Sequence, residues 1–225
     1  MENRYIRNIG AVTEEESTRL REKKIFVAGC GGLGGHIIDM LLRVGVGEIR
    51  CADGDRFEES NLNRQLLSAE NNLGLFKALA AEVHAKAVNS SVVFHAEQRF
   101  ITEENAEELI KGCDAVLDAL DSIHARKILK SACDRLGIPY IYGAVQGWVA
   151  QAAISLPGDG LLDILYPEED AVITDKSILA FTPALCAALQ TALCVKLLCG
   201  REVSPGQLTY FNLEDFDFEV LNLLY

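Results

Sequence analysis

The apolar run Ile25-Phe26-Val27-Ala28 leads directly into Gly29-Cys30-Gly31-Gly32-Leu33-Gly34, and an apolar-periodic segment follows at about 36–44. A buried strand that ends in G-x-G-x-x-G and continues into a helix leaves few folds open. The glycines make the tight turn and bring backbone N–H groups up to a phosphate at the helix N-terminus. Asp53 lies 19 residues beyond Gly34, at the end of a second short apolar run at 49–52. A carboxylate there is placed to bind ribose hydroxyls. Taken alone, these features point to a nucleotide rather than a structural turn, and they leave its identity open.

The rest of the chain fits around that unit. Thr13 with Glu16 three residues on reads as a capping box that opens a polar helix ending near Lys24. Segments 75–88, 102–111 and 122–136 read as helices, the second with an acidic first turn, and 92–95, 115–117 and 139–144 read as strands. Alternating strand and helix is the signature of βαβ units on a parallel sheet. After about residue 145 the pattern changes to strands at 149–156, 207–213 and 216–223 with one apolar helix at about 183–198. The predicted fold is α/β: a Rossmann-like nucleotide-binding sheet, parallel in its N-terminal part, with an antiparallel C-terminal extension, all in one domain spanning 1–225.

Composition narrows the function classes. With 225 residues and a net charge of −12, the chain has no surplus of Lys and Arg for general nucleic-acid binding. No uncharged apolar run of about 18 residues marks a membrane span. The start MENRYIRNIG has no apolar h-region and reads as mature cytoplasmic protein. Seven cysteines at 30, 51, 113, 133, 186, 194 and 199 form no C-x-x-C pair, and the four histidines are scattered. Reduced thiols are expected, and a zinc site is not.

The segment after Asp53 narrows the choice of nucleotide. Asp53-Gly54-Asp55 is followed by Ser60-Asn61-Leu62-Asn63-Arg64-Gln65, by Lys77 at a helix start, and by Asp118-Ala119-Leu120-Asp121 at a strand end. An Arg, a Lys and several Asp residues at strand ends suit a triphosphate with its magnesium. A dinucleotide dehydrogenase needs only the pyrophosphate loop. Together with Arg4-Tyr5-Ile6-Arg7, Gly143-Ala144 with Gln151, and Phe181-Thr182-Pro183, these motifs span nearly the whole chain. They resemble the MoeB/ThiF/HesA family, the bacterial relatives of ubiquitin-activating enzymes, in a short form.

The resemblance implies an ATP-dependent adenylyltransferase, with ATP and magnesium as cofactors. It would activate the C-terminal glycine of a small ubiquitin-like sulfur carrier of the ThiS or MoaD type ending in Gly-Gly. It implies that Gly31, Gly32 and Gly34 pack against the nucleotide and that Asp53 binds its ribose. Asn61, Arg64 and Lys77 would contact the phosphates, with Gly29, Asp55 and Gln65 completing the nucleotide set. Asp121 would hold the magnesium. Arg7 would enter the active site of a partner subunit in a homodimer, assisted by Arg4, with Tyr5 as packing.

The sequence departs from the family in two places. Family members with zinc carry two C-x-x-C pairs. Here the first region reads Gly158-Asp159-Gly160-Leu161-Leu162-Asp163, and the sequence reaches Tyr225 without the second pair. Members that transfer sulfur use a cysteine in the crossover loop, and the equivalent stretch, about 166–180, has none. Cys186 and Cys194 read as buried thiols sharing a helix face, His36 as a histidine near helix-terminal donors, Trp148 as core packing, and Glu168-Glu169-Asp170 as a solvated loop. Activation of a small-molecule, peptide or tRNA-borne carboxylate is the alternative substrate reading. An NAD(P)-binding oxidoreductase would leave Arg64, Lys77 and Asp121 without a role.

Overall fold

The computed structural model describes residues 3–167 and 177–224. The apolar run at 25–28 lies in β1 (Lys24–Ala28), and all four of its residues are fully buried. Burial on both faces is what a continuous apolar strand in a parallel sheet requires. On one side β1 pairs in parallel with β2 (Glu48–Ala52), which pairs with β3 (Val93–Glu97). On the other side it pairs with β4 (Ala115–Asp118), which pairs with β5 (Tyr140–Gln146). Beyond β5 the sheet turns antiparallel through β6 (Val149–Ser155), β7 (Gln207–Asn212) and β8 (Asp217–Asn222). The order is β3-β2-β1-β4-β5-β6-β7-β8. Parallel strands with an antiparallel extension on one sheet are thus the observed architecture.

Helices cover both faces of the sheet. One core cluster gathers α2 (Gly32–Val44), α3 (Lys77–Val88) and α7 (Phe181–Cys199) against one face. The other gathers α4 (Ala106–Ile110), α5 (Ile123–Leu136) and α6 (Leu161–Leu165) against the opposite face. Helix α7 is long and apolar enough to cross a membrane by length and composition. In this fold it packs against α2, β5 and β6. Two of its buried polar side chains donate to backbone carbonyls: Gln190 Nε2 to Asp118 at 2.7 Å, and Thr182 Oγ1 to Gly147 at 2.8 Å, whereas Gln190 Oε1 and Thr191 Oγ1 have no partner among the described residues.

Several boundaries differ from the sequence reading. Helix α2 begins at Gly32 rather than near 36, because three of the loop's glycines belong to its first turn. The first helix, α1 (Glu14–Leu20), has the capping box at Thr13 but stops at Leu20, and Lys24 already belongs to β1. Helix α4 is shorter than 102–111. The Asn105 side chain reaches back to accept from Thr102 N at 2.9 Å and donates to the Phe100 carbonyl at 2.9 Å, folding 100–105 into a turn. Trp148 is 40% exposed at the β5–β6 turn and packs on Phe181, so it is not core. The stretch 168–170 lies outside the described residues.

The N-terminal segment is fixed far from the glycine loop. Tyr5 is buried, and its hydroxyl accepts from Asn89 Nδ2 at 2.7 Å. Asn8 Nδ2 donates to the Val44 carbonyl at 3.3 Å, at the C-terminal end of α2. At the start of α1, Glu16 forms a two-pronged pair with Arg201 at 2.6 and 2.7 Å, tying that helix to the loop after α7. The hydrogen bonds from Arg201, with help from the Thr13 N–H, hold the Glu16 carboxyl down at about 2, from the usual 4.5. A lowered carboxylate contributes stability in full above its unfolded value and loses it as pH falls through the folded one. The melting-temperature gap between wild type and Glu16→Gln is therefore expected to be widest at neutral pH. It should shrink as pH falls from about 4.5 toward about 2; a gap that does not change over that range would contradict the assignment.

Candidate active site

The junction between β1 and α2 can be built only from glycine at two positions, Gly29 in the loop and Gly34 in the first turn of α2. Gly29 has φ +96°, and a Cβ on it would lie 2.8 Å from the Ala119 carbonyl oxygen. A Cβ on Gly34 would lie 1.9 Å from the Gly29 carbonyl oxygen. The first turn of α2 therefore sits directly on the end of β1, and the loop after β4 closes against it. This is the place where the strand order reverses, with β2 on one side of β1 and β4 on the other. In open α/β sheets that crevice is where ligands bind.

A cleft of about 240 Å³ opens there, lined by Gly29, Gly31, Gly32, Asp53, Asp55, Arg64, Gln65, Lys77 and Asp121 among others. Nine of the residues singled out in the sequence thus meet on one wall system. Asp53 is locked by two backbone donors: Cys30 N to Oδ2 at 2.7 Å and Asp55 N to Oδ1 at 2.8 Å. Burial pushes its carboxyl up, and these hydrogen bonds together with the Lys77 charge oppose the rise. Lys77, at the first residue of α3, is only 10% exposed in its side chain and pairs with Asp55 Oδ2 at 3.0 Å. Arg64 is braced by its own loop, donating to the Ser60 carbonyl at 2.9 Å and to Asn63 Oδ1 at 2.8 Å. The Gln65 amide lies beside Gly31, and its Oε1 is buried without a partner among the described residues. Asp121 is exposed on the cleft wall and has no hydrogen bond or ion pair among the described residues.

Three of the expected residues do not line the cleft. Gly34 shapes the loop from behind. Asn61 is buried and organises the 58–68 turn, where its Oδ1 accepts from Glu58 N at 3.1 Å and its carbonyl from Gln65 N at 3.0 Å. Arg7 is exposed beside the C-terminal end of α2. A helix of 13 residues, about 20 Å long, separates it from the loop.

The sequence reading passed over Arg126. It lies one turn into α5, lines the cleft, and is buried with Asp118 in a pair at 2.5 Å. The same guanidinium donates to the Gly143 carbonyl at 2.8 Å and to the Leu120 carbonyl. It therefore holds the 118–121 loop against β5 and leaves Asp118 structural. Burial pushes the Asp118 carboxyl up, and the adjacent guanidinium works against that rise. A signal was available, because a cation near a helix N-terminus opposes the macrodipole and calls for a local reason. Leaving one buried charge without its partner costs about 3–5 kcal/mol. Urea unfolding of Asp118→Ala and Arg126→Met should each show a loss of that order, and the double variant should lose clearly less than their sum.

No cysteine lines the cleft. All seven are free and buried. Burial pushes the Cys186 thiol up to about 12. Its Sγ donates to the Gln151 carbonyl at 3.2 Å, the setting of a packed thiol. Among the described residues no group of three or more His, Cys, Asp and Glu gathers to hold a metal. Elemental analysis is expected to find well under one zinc per chain, and stoichiometric zinc would contradict this.

Comparison with known proteins agrees with this fold. The ThiF family model matches residues 4–224. The SAMP-activating enzyme E1 of Haloferax volcanii is 31% identical over 97% of this chain and 84% of its own length. The sulfur carrier protein ThiS adenylyltransferase of Bacillus subtilis is 34% identical over 83% of this chain and 57% of its own length. Among solved structures, Escherichia coli MccB with ATP superposes with a TM-score of 0.86 at 22% identity, covering 100% of this chain and 72% of that one, which is a likeness of fold. The chain belongs to the ThiF family and is a nucleotidyltransferase of the E1-like adenylating kind.

Proposed function

We propose that the protein uses ATP to adenylate the C-terminal glycine carboxylate of a small ubiquitin-like sulfur carrier of the ThiS or MoaD type, acting as a cytoplasmic homodimer with 1–225 as one adenylation domain. The observation that carries this reading is the meeting of Arg64, Lys77, Asp55 and Asp121 on the glycine-loop cleft. Hydride transfer has no use for two cations and two carboxylates at the phosphate end. The relatives support the substrate class, since one is a SAMP-activating enzyme and another a ThiS adenylyltransferase.

In this reading the N–H groups at the start of α2 and the Arg64 and Lys77 cations receive the triphosphate, and Asp53 receives the ribose. The carrier's carboxylate attacks the α-phosphorus, the bond to the bridging oxygen breaks, and pyrophosphate leaves behind an acyl-adenylate. That nucleophile is already ionised, so the site needs position and positive charge rather than a general base. Asp121, an oxygen donor on the wall with no partner among the described residues, fits a magnesium ion, which binds through one or two carboxylates plus phosphate oxygens. When bound, magnesium would neutralise charge on the phosphoryl oxygens. Arg7 lies about a helix length from its own cleft, so any role at a cleft is at that of a second copy. An arginine suits that role because its charge is fixed and its donors are forked.

Calorimetry is expected to show binding of ATP with magnesium and none of NAD(H); the reverse result would overturn the reading. Lys77→Ala should slow carrier-dependent pyrophosphate exchange about 10²–10³-fold, as loss of one oxyanion contact does. For the dimer, an Arg7→Ala chain mixed with a Lys77→Ala chain should recover exchange, because one site of each heterodimer then carries neither lesion. No recovery with heterodimer formation verified would refute the trans arrangement and leave adenylation intact.

A further inference from the structure

The cleft is lined by charged and apolar groups together: the glycine loop, Arg64, Lys77, Arg99 and Asp121, and Ala52, Phe100, Ile101 and Leu120. Ala52, Ile101 and Leu120 pack in one core cluster, and Phe100 directly precedes Ile101 in the chain. Asp53 follows Ala52 in the chain and is bonded to the loop through Cys30 N. With its phosphates on the loop and its sugar on Asp53, a nucleotide would have that cluster and the Phe100 ring, which lies on Gly54, beside its base.

Phe100 has an unusual environment within the cleft. It is 63% exposed although it lines the cleft, so the core does not hold it. It is held from elsewhere. Its carbonyl accepts from Asn105 Nδ2 at 2.9 Å, which fixes the backbone. Its ring lies against the backbone of Gly54, where a Cβ would come within 2.6 Å of ring carbon Cδ2. An aromatic ring pinned on one side and exposed beside the sugar position is a stacking surface. We propose that Phe100 is the surface on which the base of the bound nucleotide stacks, and that Gly54 and Asn105 place it. This rests on the nucleotide reading of the cleft given above.

The chemistry sets what such a residue selects. Every base has a π face, so stacking does not identify a particular base. A purine covers more of the ring than a pyrimidine, so Phe100 favours purine over pyrimidine nucleotides without telling one purine from another. Removing it should weaken a nucleotide and leave a bare phosphate chain untouched.

Titration calorimetry on the full chain tests this with ATP, CTP and inorganic tripolyphosphate, each with magnesium. Phe100→Ala is expected to weaken ATP about 10-fold or more, bring ATP and CTP close together, and leave tripolyphosphate unchanged. Phe100→Trp should keep the wild-type order. Gly54→Ala should reproduce the Phe100→Ala pattern by displacing the ring. The exposure of the ring makes an unchanged melting temperature the expected control. Phe100→Ala binding ATP as tightly as wild type would overturn the stacking role while the nucleotide reading stands. Equal weakening of ATP and tripolyphosphate would also overturn it, by showing a distorted loop. Wild type that binds no ATP would overturn both.

Discussion

The contact between Gly34 and Gly29 sets the geometry on which the rest depends. With a would-be Cβ 1.9 Å from a carbonyl oxygen, no side chain is tolerated at Gly34 without moving the helix or the strand. That contact seats the N-terminus of α2 at the end of β1, aims its unpaired N–H groups into the crevice, and brings Ala119 from the β4 end within reach. Asp53 then completes the junction by taking the Cys30 N–H, so the second strand is tied to the same loop. The site follows from how tightly three strand ends and one helix start are forced together.

Around that frame the charges divide into two kinds. Asp118 and Arg126 are buried with each other and shape the 118–121 loop. Asp121, three residues on, is exposed and unpaired among the described residues. Lys77 and Asp55 form a pair at the cleft edge, one partner nearly buried and the other about half exposed. A chain of net charge −12 thus gathers Arg64, Lys77, Arg99 and Arg126 on the lining of one cleft. Local field rather than net charge decides what such a crevice attracts.

Much of this was legible in the sequence. The β1–loop–α2 unit, Asp53, and the run at 60–65 could be read because each depends on local chemistry: a turn only glycine makes, a strand-end carboxylate, an arginine in a polar loop. What depends on packing at a distance was not. Arg126 was missed because its partners, Asp118 and the Gly143 carbonyl, meet it only when β4, β5 and α5 come together. Trp148 was misread because an aromatic next to two apolar strands looks like core, whereas the β5–β6 turn carries it beyond the sheet onto Phe181. The early start of α2 was hidden because glycines lower helix propensity, and the close approach that requires Gly34 in the first turn exists only once the strand and helix meet. Asn61 lies in the right motif, yet its side chain serves the turn that aims Arg64 and Gln65.

The most direct test of the central claim is a crystal structure of the protein with a non-hydrolysable ATP analogue and magnesium. The account predicts phosphate oxygens within about 3 Å of the N–H groups opening α2 and of the Arg64 and Lys77 side chains. It also predicts the ribose on Asp53 and the base on Phe100. Phosphates bound elsewhere, with Lys77 still paired to Asp55 and the glycine loop empty, would contradict it.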